Sequence, residues 1–382
     1  MGEIKTLEAL LLLEDGFTLK GEVFAGEGET CGEVVFNTSM AGYQEAITDP
    51  SYHGQILTFT YPHIGNYGCN PYDNESAIPQ VKGVLVKRHC HLPDHPLSEE
   101  KLGDFLDRHG VIGVEGIDTR TLTLHLRRFG AMKGIIATGN TNKEELSKKL
   151  AEYPSIVGKN LVQNVTTSSP YYRPYYWSSS SIKPEWEITP TPKESGTNHV
   201  VVVDLGVKYS ILTALAERGC RVTVVPATTP VEEIKAMDPS GILFSNGPGD
   251  PAPLDYITST VRSLLGWRPI MGICLGHQVI GRTLGMESFK LTFGHRGVNH
   301  PVKDLQSGRV LITVQNHGFN LAYNKDEDLP EGTTATHVNL NDNTLEGIEN
   351  LNWGLFSVQF HPEAGPGPHD CKNLFDKFME ML

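Results

Sequence analysis

Cys274 stands in the run Gly272-Ile273-Cys274-Leu275-Gly276-His277-Gln278, directly after the apolar stretch Pro269-Ile270-Met271. A short apolar strand, a glycine-flanked Cys and a helix-compatible segment from Leu275 to Leu284 describe a strand–turn–helix elbow, with a thiol where hydrolases carry a hydroxyl. The glycines allow a sharp turn and let a substrate approach the backbone. The start of the following helix favours negative charge on the sulfur. On this motif alone, a buried structural cysteine beside a tight turn is an equal reading.

A nucleophilic Cys needs a base, and the base needs an orienting group. Gln359-Phe360-His361-Pro362-Glu363 ends the apolar-rich run from Gly354 to Phe360. On an extended strand, positions i and i+2 share a face, which would set His361 beside Glu363 with the second ring nitrogen free for Cys274. Among fifteen histidines the main rival is His277, one helical turn after Cys274, but no carboxylate stands at matching spacing. The third piece is Ser245-Asn246-Gly247-Pro248-Gly249-Asp250-Pro251, after the strand-like Gly241-Ile242-Leu243-Phe244. A Gly-Pro-Gly turn there offers unobstructed N–H groups to an oxyanion, although an ordinary turn has the same composition.

The elements that would carry these groups are legible from periodicity. From His199 onward, strands and helices alternate: strands over Val200–Asp204, Arg221–Pro226, Gly241–Phe244 and Pro269–Ile273, and helices over Ser210–Arg218, Pro230–Met237, Ile257–Leu265 and from Leu275. Near-continuous apolar strands alternating with helices predict a mainly parallel sheet covered on both faces. Sites in such sheets lie beyond the strands' carboxyl ends, where Gly247 and Cys274 fall. Residues 1–166 instead mix short β-rich runs with helical patterns near Glu99–His109, Thr119–Phe129 and Asn142–Tyr153, predicting an N-terminal α+β domain. Residues 167–197 hold five prolines and the run Ser178 to Ser181 and read as a linker. Its Tyr171, Tyr172, Tyr175, Tyr176 and Trp177 suit docking on the protein's own surface better than base stacking. Residues 198–382 form the second domain, so the fold class is α/β with an α+β N-terminal domain.

Composition narrows the function. A formal charge of −13 on 382 residues gives no basic field for nucleic acid or anionic membrane. Six cysteines without a C-x-x-C pair fit a reducing compartment, and so a cytoplasmic protein. The run Ala9 to Leu13 is too short for a signal peptide, and no stretch could cross a bilayer. Met1-Gly2 with Thr6 fits the myristoylation pattern only formally. Neither a Walker motif nor a dinucleotide fingerprint occurs, which predicts no cofactor in this chain. His89-Cys90-His91 with Asp94 and His95 has metal-like composition but no familiar zinc spacing; it reads as a solvated loop, with no metal expected.

Together the motifs resemble those of the class I glutamine amidotransferases, whose Cys-His-Glu set removes ammonia from the glutamine side chain. Over nearly its whole length the chain is similar to the small, glutaminase subunits of carbamoyl-phosphate synthases. That wider likeness rests on Gly32-Glu33-Val34-Val35-Phe36-Asn37-Thr38-Ser39-Met40, Gly42-Tyr43-Gln44-Glu45, Thr48-Asp49-Pro50-Ser51-Tyr52, Tyr61-Pro62-His63-Ile64-Gly65-Asn66-Tyr67-Gly68 and Gly116-Ile117-Asp118-Thr119-Arg120. In the second half it continues through Phe293-Gly294-His295-Arg296-Gly297, Gln315-Asn316-His317-Gly318-Phe319 and Pro366-Gly367-Pro368-His369-Asp370.

The resemblance implies a thioester mechanism with Cys274 as nucleophile, His361 as acid and base, Glu363 as orienting group, and Gly247 and Leu275 as oxyanion donors. Glutamine would be held by Ser51, Gly247, Gly249, Leu275, Gln278, Asn316, Gly318 and Phe319. It also implies a large partner subunit that consumes ammonia, bicarbonate and ATP with Mg; the opening Met and closing Phe378-Met379-Glu380-Met381-Leu382 suit a free subunit. The rival readings are an amidotransferase for another synthase, of anthranilate or GMP type, and a glutaminase-dead docking subunit. The N-terminal motifs argue against the first; the intact Cys274, His361 and Glu363 argue against the second.

Overall fold

The computed structural model describes residues 7–139, 142–173, 198–323 and 329–382. The chain divides into two compact units, one of residues 1–159 with 291–297, the other of residues 160–290 with 298–382. Most of the segment read as a linker, 174–197, lies outside the described residues.

The first unit contains β1 (Glu8–Leu13), β2 (Thr18–Ala25), β3 (Glu29–Asn37), α1 (Tyr43–Thr48), β4 (Gln55–Phe59), β5 (His63–Ile64), β6 (Gly83–Leu85), β7 (Arg88–His89), α2 (Leu102–Arg108), β8 (Ile112–Glu115), α3 (Thr119–Phe129), β9 (Met132–Thr138) and α4 (Lys143–Glu152). Seven strands close a barrel in the order β1-β2-β8-β6-β4-β3-β9, and β5 pairs with β7 separately. Closure follows from β1 pairing antiparallel with both β2 and β9, which leaves no free edge. The uninterrupted apolar run of β1 has a simple cause. Leu11 and Leu13 pack with Val34, Ile56 and Ile136, while Leu10 and Leu12 on the opposite face meet Leu146 and Leu150 of α4. Alternation puts successive side chains on opposite faces, and here both are buried. Asp118 caps α3 by accepting from Thr121 N at 3.0 Å.

In the loop 89–95, His91, Leu92, Asp94 and His95 are exposed, as expected of a solvated loop, and His89 is the exception. His89 is 5% exposed, its ring stacked on Phe24 at 4.2 Å with both ring nitrogens unpartnered. Burial, then His91 and His63, push its pKa down to about 4, so it sits as a neutral core residue. The loop's His, Cys and Asp groups do not converge on a shared ligand position.

The second unit contains β10 (Tyr171–Arg173), β11 (His199–Asp204), α5 (Tyr209–Ala216), β12 (Arg221–Pro226), α6 (Val231–Ala236), β13 (Gly241–Phe244), α7 (Asp255–Leu264), β14 (Ile270–Ile273), α8 (Leu275–Thr283), β15 (Ser288–Asp304, shared with the first unit), β16 (Val310–Leu321), β17 (Thr334–Asn339), β18 (Leu345–Asn350), β19 (Leu355–Val358) and α9 (Asn373–Met381). The sheet order is β10-β12-β11-β13-β14-β19-β18-β17-β15-β16. Strands β12, β11, β13, β14 and β19 run parallel, and β18 and β17 extend them antiparallel. Tyr171 and Tyr172 belong to the edge strand β10, paired with β12.

Both faces of the parallel strands are apolar, as their sequence requires. Val201, Val203, Ile242, Phe244 and Ile270 pack with Ile257, Val261 and Leu264 of α7 and with Val279 and Ile280 of α8. Val200, Val202, Leu243, Met271 and Ile273 face Ile211, Leu212 and Leu215 of α5 and Phe375 and Phe378 of α9. Because β11, β13, β14 and β19 point the same way, the segments that follow them emerge at one edge: Leu205 to Lys208, Ser245 to Gly249, Cys274, and Gln359 to Glu363. Among the described residues no helix is long and apolar enough to cross a membrane.

Candidate active site

Cys274 occupies the junction of β14 and α8 with φ 53° and ψ −104°. A positive φ is costly for a residue with a Cβ and persists only where its surroundings fix it. Here Cys274 N donates to Val358 O at 2.9 Å, and Gln278 N closes the first helical turn on Cys274 O at 3.1 Å. The flanking glycines do not take the sharp turn themselves, as the sequence suggested; Cys274 does. Their contribution is space, since a Cβ on Gly276 would lie 2.1 Å from Phe244 O, and one on Gly272 2.5 Å from Ile280 Cδ1. Helix and sheet therefore close on the elbow tightly, and Cys274 is 1% exposed. Its Sγ faces Asn316 O at 3.7 Å and the amide Nε2 of Gln359 at 3.6 Å.

Leu275 N is the first amide of α8, and Gly247 N belongs to the turn after β13. Neither has an acceptor within the protein among the described residues. A Cβ on Gly247 would meet Leu205 O at 2.1 Å and Leu275 Cδ2 at 2.8 Å. The turn thus packs directly against the residue after the elbow, and only glycine permits it.

His361 does not continue β19, which ends at Val358. The expected extended geometry is replaced by a bridge from His361 to Val314 of β16, with His361 N donating to Val314 O at 2.9 Å, followed by a turn through Pro362 and Glu363. Pro lacks the N–H that would continue the ladder, so the chain leaves the sheet here. The turn still brings the pair together: His361 Nδ1 and Glu363 Oε1 are 2.6 Å apart, with His361 2% and Glu363 4% exposed. His361 Nε2 is buried and satisfies no hydrogen bond, leaving it available to a reacting group. Burial opposes charge on this ring, but the Glu363 carboxylate more than offsets it and the nearby Cys274 thiol adds to the effect, raising the His361 pKa to about 10. Glu363 moves the other way: burial opposes its charge, yet Lys208 and then His361 hold it down at about 2.

Lys208 is a site residue that the motifs did not reveal. It is 2% exposed, and its Nζ donates to Glu363 Oε1 at 3.0 Å and to Ala364 O at 2.7 Å. Its backbone N donates to Asn246 Oδ1 at 3.1 Å, tying the segment after β11 to the turn after β13. Nothing in local spacing links it to Glu363. The only available clue was its place just beyond a parallel strand's carboxyl end.

The remaining sequence-assigned residues are distributed as follows. Gln278, on α8, donates from Nε2 to Phe319 O at 2.7 Å and to Gln359 Oε1 at 3.0 Å. Asn316, Gly318 and Phe319 lie on β16, of which Asn316 O faces the Cys274 sulfur. Gly249, at φ 83°, packs near Leu161. Ser51 belongs to the other unit, in a 3-10 turn over Pro50–Tyr52, with its N donating to Asp49 Oδ1 at 2.8 Å. The rival base His277 is fully buried, with Nδ1 on Ser357 Oγ at 2.9 Å. Burial and then His337 push its pKa down to about 3.

The family described as carbamoyl-phosphate synthase small chain, CPSase domain, matches residues 11–136, and that described as glutamine amidotransferase class-I matches residues 201–381. Carbamoyl phosphate synthase small chains from Syntrophotalea carbinolica, 47% identical over 98% of both chains, and from a Nostoc species, 48% identical over 98% of this chain and 95% of its own, are similar throughout. A solved glutamine amidotransferase structure from Thermotoga maritima covers 48% of this chain and 83% of its own at 19% identity, with a TM-score of 0.34 too low to carry weight. With whole-length identity to such relatives, and with both domains matched, this chain belongs to the family of carbamoyl-phosphate synthase small chains and carries their class I glutamine amidotransferase domain.

Proposed function

We propose that Cys274, His361 and Glu363 hydrolyse L-glutamine through a thioester, and that the ammonia released passes to a large subunit that makes carbamoyl phosphate from bicarbonate and ATP. The observation that carries the reading is the buried Glu363–His361 pair at 2.6 Å, with its second ring nitrogen unsatisfied at the sheet edge that holds the strained Cys274. The Cys274–His361 pair carries one shared proton; with that proton on the ring, the sulfur attacks the glutamine carboxamide carbon as a thiolate. The oxygen that becomes negative is met by Gly247 N and Leu275 N. His361 returns the proton to the leaving nitrogen, the C–N bond breaks and ammonia departs. A water then loses a proton to His361 and attacks the thioester; the C–S bond breaks, releasing glutamate and restoring the thiol.

Lys208 and Glu363 support this cycle electrostatically. A raised imidazole pKa means that the ring holds its proton firmly, which suits the step that expels ammonia. Both Gln278 N–H groups are committed to Phe319 O and Gln359 Oε1, so Gln278 has only its Oε1 to offer an incoming glutamine ammonium. The chain is read as cytoplasmic and free of a nucleotide site of its own, ATP and Mg being used by the partner. The test is carbamoyl phosphate synthesis by the two-subunit complex with Cys274→Ser in this chain. Glutamine-supported synthesis should vanish and ammonia-supported synthesis persist; equal loss of both would sink the division of labour.

A further inference from the structure

We infer that Gln359 is a further catalytic residue, whose side-chain amide donates a hydrogen bond to the Cys274 sulfur and stabilises it as the thiolate. The inference rests on the proposed glutaminase activity. Gln359 immediately follows β19 and is fully buried. Its Nε2 lies 3.6 Å from Cys274 Sγ, and its Oε1 lies 3.0 Å from Gln278 Nε2. The backbone fixes the residue as well, since Gln359 N donates to Glu346 O at 2.9 Å.

Amide orientations are decided by hydrogen-bond partners, and here those partners admit one answer. Phe319 O is a carbonyl and can only accept. The Gln278 atom 2.7 Å from it must therefore be the amide nitrogen. That same nitrogen faces Gln359, so the Gln359 atom opposite must be the amide oxygen. The other end of the Gln359 amide, turned to Cys274, is then necessarily the N–H donor. Flipping Gln359 would set nitrogen against nitrogen at Gln278 and oxygen against sulfur at Cys274. A main-chain carbonyl on β16 thus determines, through two side chains, that the nucleophile is met by a donor.

The consequence depends on the charge of sulfur. As a thiol, Cys274 can give its proton to Asn316 O, 3.7 Å away, while accepting weakly from Gln359. As a thiolate it has nothing to give, and Asn316 O repels it. The Gln359 N–H instead becomes a charge-assisted donor in a buried site, where such bonds are at their strongest. Ionisation therefore shifts sulfur away from Asn316 and towards Gln359 and His361. The thioester sulfur is neutral and a poor acceptor, so the bond favours both the attacking thiolate and the thiolate expelled when water opens the thioester. The groups that also act on this sulfur are His361 and, behind it, Glu363 and Lys208; none of them replaces a donor on the Gln359 side.

The test compares Gln359→Met, which keeps the length without the donor, with Gln359→Glu, which turns oxygen to the sulfur, in the two-subunit complex. Gln359→Met should lower kcat for glutamine hydrolysis about ten- to a hundredfold, the size of one hydrogen bond to a charged group, with Gln359→Glu lower still. Alkylation of Cys274 by uncharged iodoacetamide at fixed pH should slow in the same order, while ammonia-supported synthesis stays near wild type. If Gln359→Met loses stability, the alkylation rate of its folded form at low temperature still decides, since that readout needs only the Cys274 site and the variant adds no charge beside the sulfur. Wild-type kcat and alkylation rate in either variant would overturn the role of Gln359. Cys274→Ser run alongside separates the levels: if that variant still hydrolyses glutamine the glutaminase reading fails, whereas if it is inactive and Gln359→Met fully active only the Gln359 inference fails.

Discussion

Two buried histidines on neighbouring elements of the second unit have opposite fates. His277, in the first turn of α8, has its pKa pushed down to about 3; His361, in the turn after β19, has its pKa raised to about 10. Burial acts against charge in both, so depth does not separate them. The carboxylate does. Glu363 stands 2.6 Å from the ring of His361, whereas the nearest polar partner of His277 is the Ser357 hydroxyl. A hydroxyl satisfies a neutral ring and leaves it neutral. A carboxylate, itself fixed in the charged state by Lys208, makes the imidazolium the stable form. On the proposed mechanism, the base is therefore the histidine that has the carboxylate, not the one nearer Cys274 in sequence.

The most severe break in this scheme is removal of the sulfur. Cys274→Ser should reduce glutamine hydrolysis on the order of 10⁴-fold or more, because in the proposed mechanism His361 and Glu363 act only through the sulfur. Steady-state ammonia release by the complex measures it, and appreciable residual turnover would take Cys274 out of the chemistry.

Glu363→Gln attacks the difference between the two rings directly. The His361 pKa should fall, and kcat should drop on the order of 10²- to 10⁴-fold, less than for the nucleophile because an orienting group acts through its neighbour. The pH dependence carries the sign. With its folded pKa raised above the unfolded value, His361 contributes stability that is present below about pH 6.5 and lost as pH rises through about 10. Glu363, held low, contributes stability that is present above about pH 4.5 and lost as pH falls through about 2. The variant should lose both contributions, so its stability advantage near neutrality shrinks. An unchanged His361 titration, followed by NMR of the ring, would contradict the assigned cause.

Gly247→Ala sharpens the role of the backbone around the pair. The added methyl would sit 2.1 Å from Leu205 O, a backbone atom that cannot swing aside, so the turn must shift. Misplacing an oxyanion donor typically lowers kcat about 10²-fold, with a smaller change expected in KM. Full activity in Gly247→Ala would show that this N–H does not face the reacting oxygen.

Much of this site was legible in the sequence, for reasons that are physical. Apolar strands covered on both faces leave nearly continuous hydrophobic runs, so β11, β13 and β14 were visible, and their parallel direction put Gly247 and Cys274 at one edge. What was not legible depended on tertiary placement. Lys208 stands 155 residues from Glu363, and no periodicity reports a contact made across the sheet by a segment that merely follows β11. The extended spacing assumed for His361 and Glu363 gave the right neighbours for the wrong reason, since a proline turn sets them together. Gln359 was read only as part of an apolar strand. The closed barrel of the first unit was also hidden, because closure depends on β1 meeting β9, which lies far along the chain.

The smallest expected effect lies with the neutral member of the pair. His277→Asn retains a polar side chain for Ser357 and leaves Cys274, His361 and Glu363 untouched, so kcat should change less than about tenfold. Its effect should appear in acid instead. The pKa of His277 in the folded chain is depressed to about 3 against 6.5, so between those limits the unfolded chain binds the extra proton and the native state does not. Stability linked to this residue is complete above about pH 6.5 and declines as pH falls towards 3. His337, depressed to about 4 by burial, imposes a similar slope nearby and remains in the variant. Removing the His277 imidazole should therefore flatten the acid limb only in part and move the acid unfolding midpoint to lower pH. Circular dichroism from about pH 7 down to about pH 3, with glutamine hydrolysis assayed at neutral pH, distinguishes the roles. Near-complete loss of hydrolysis in a variant folded at neutral pH would make His277 the working base and invert the comparison.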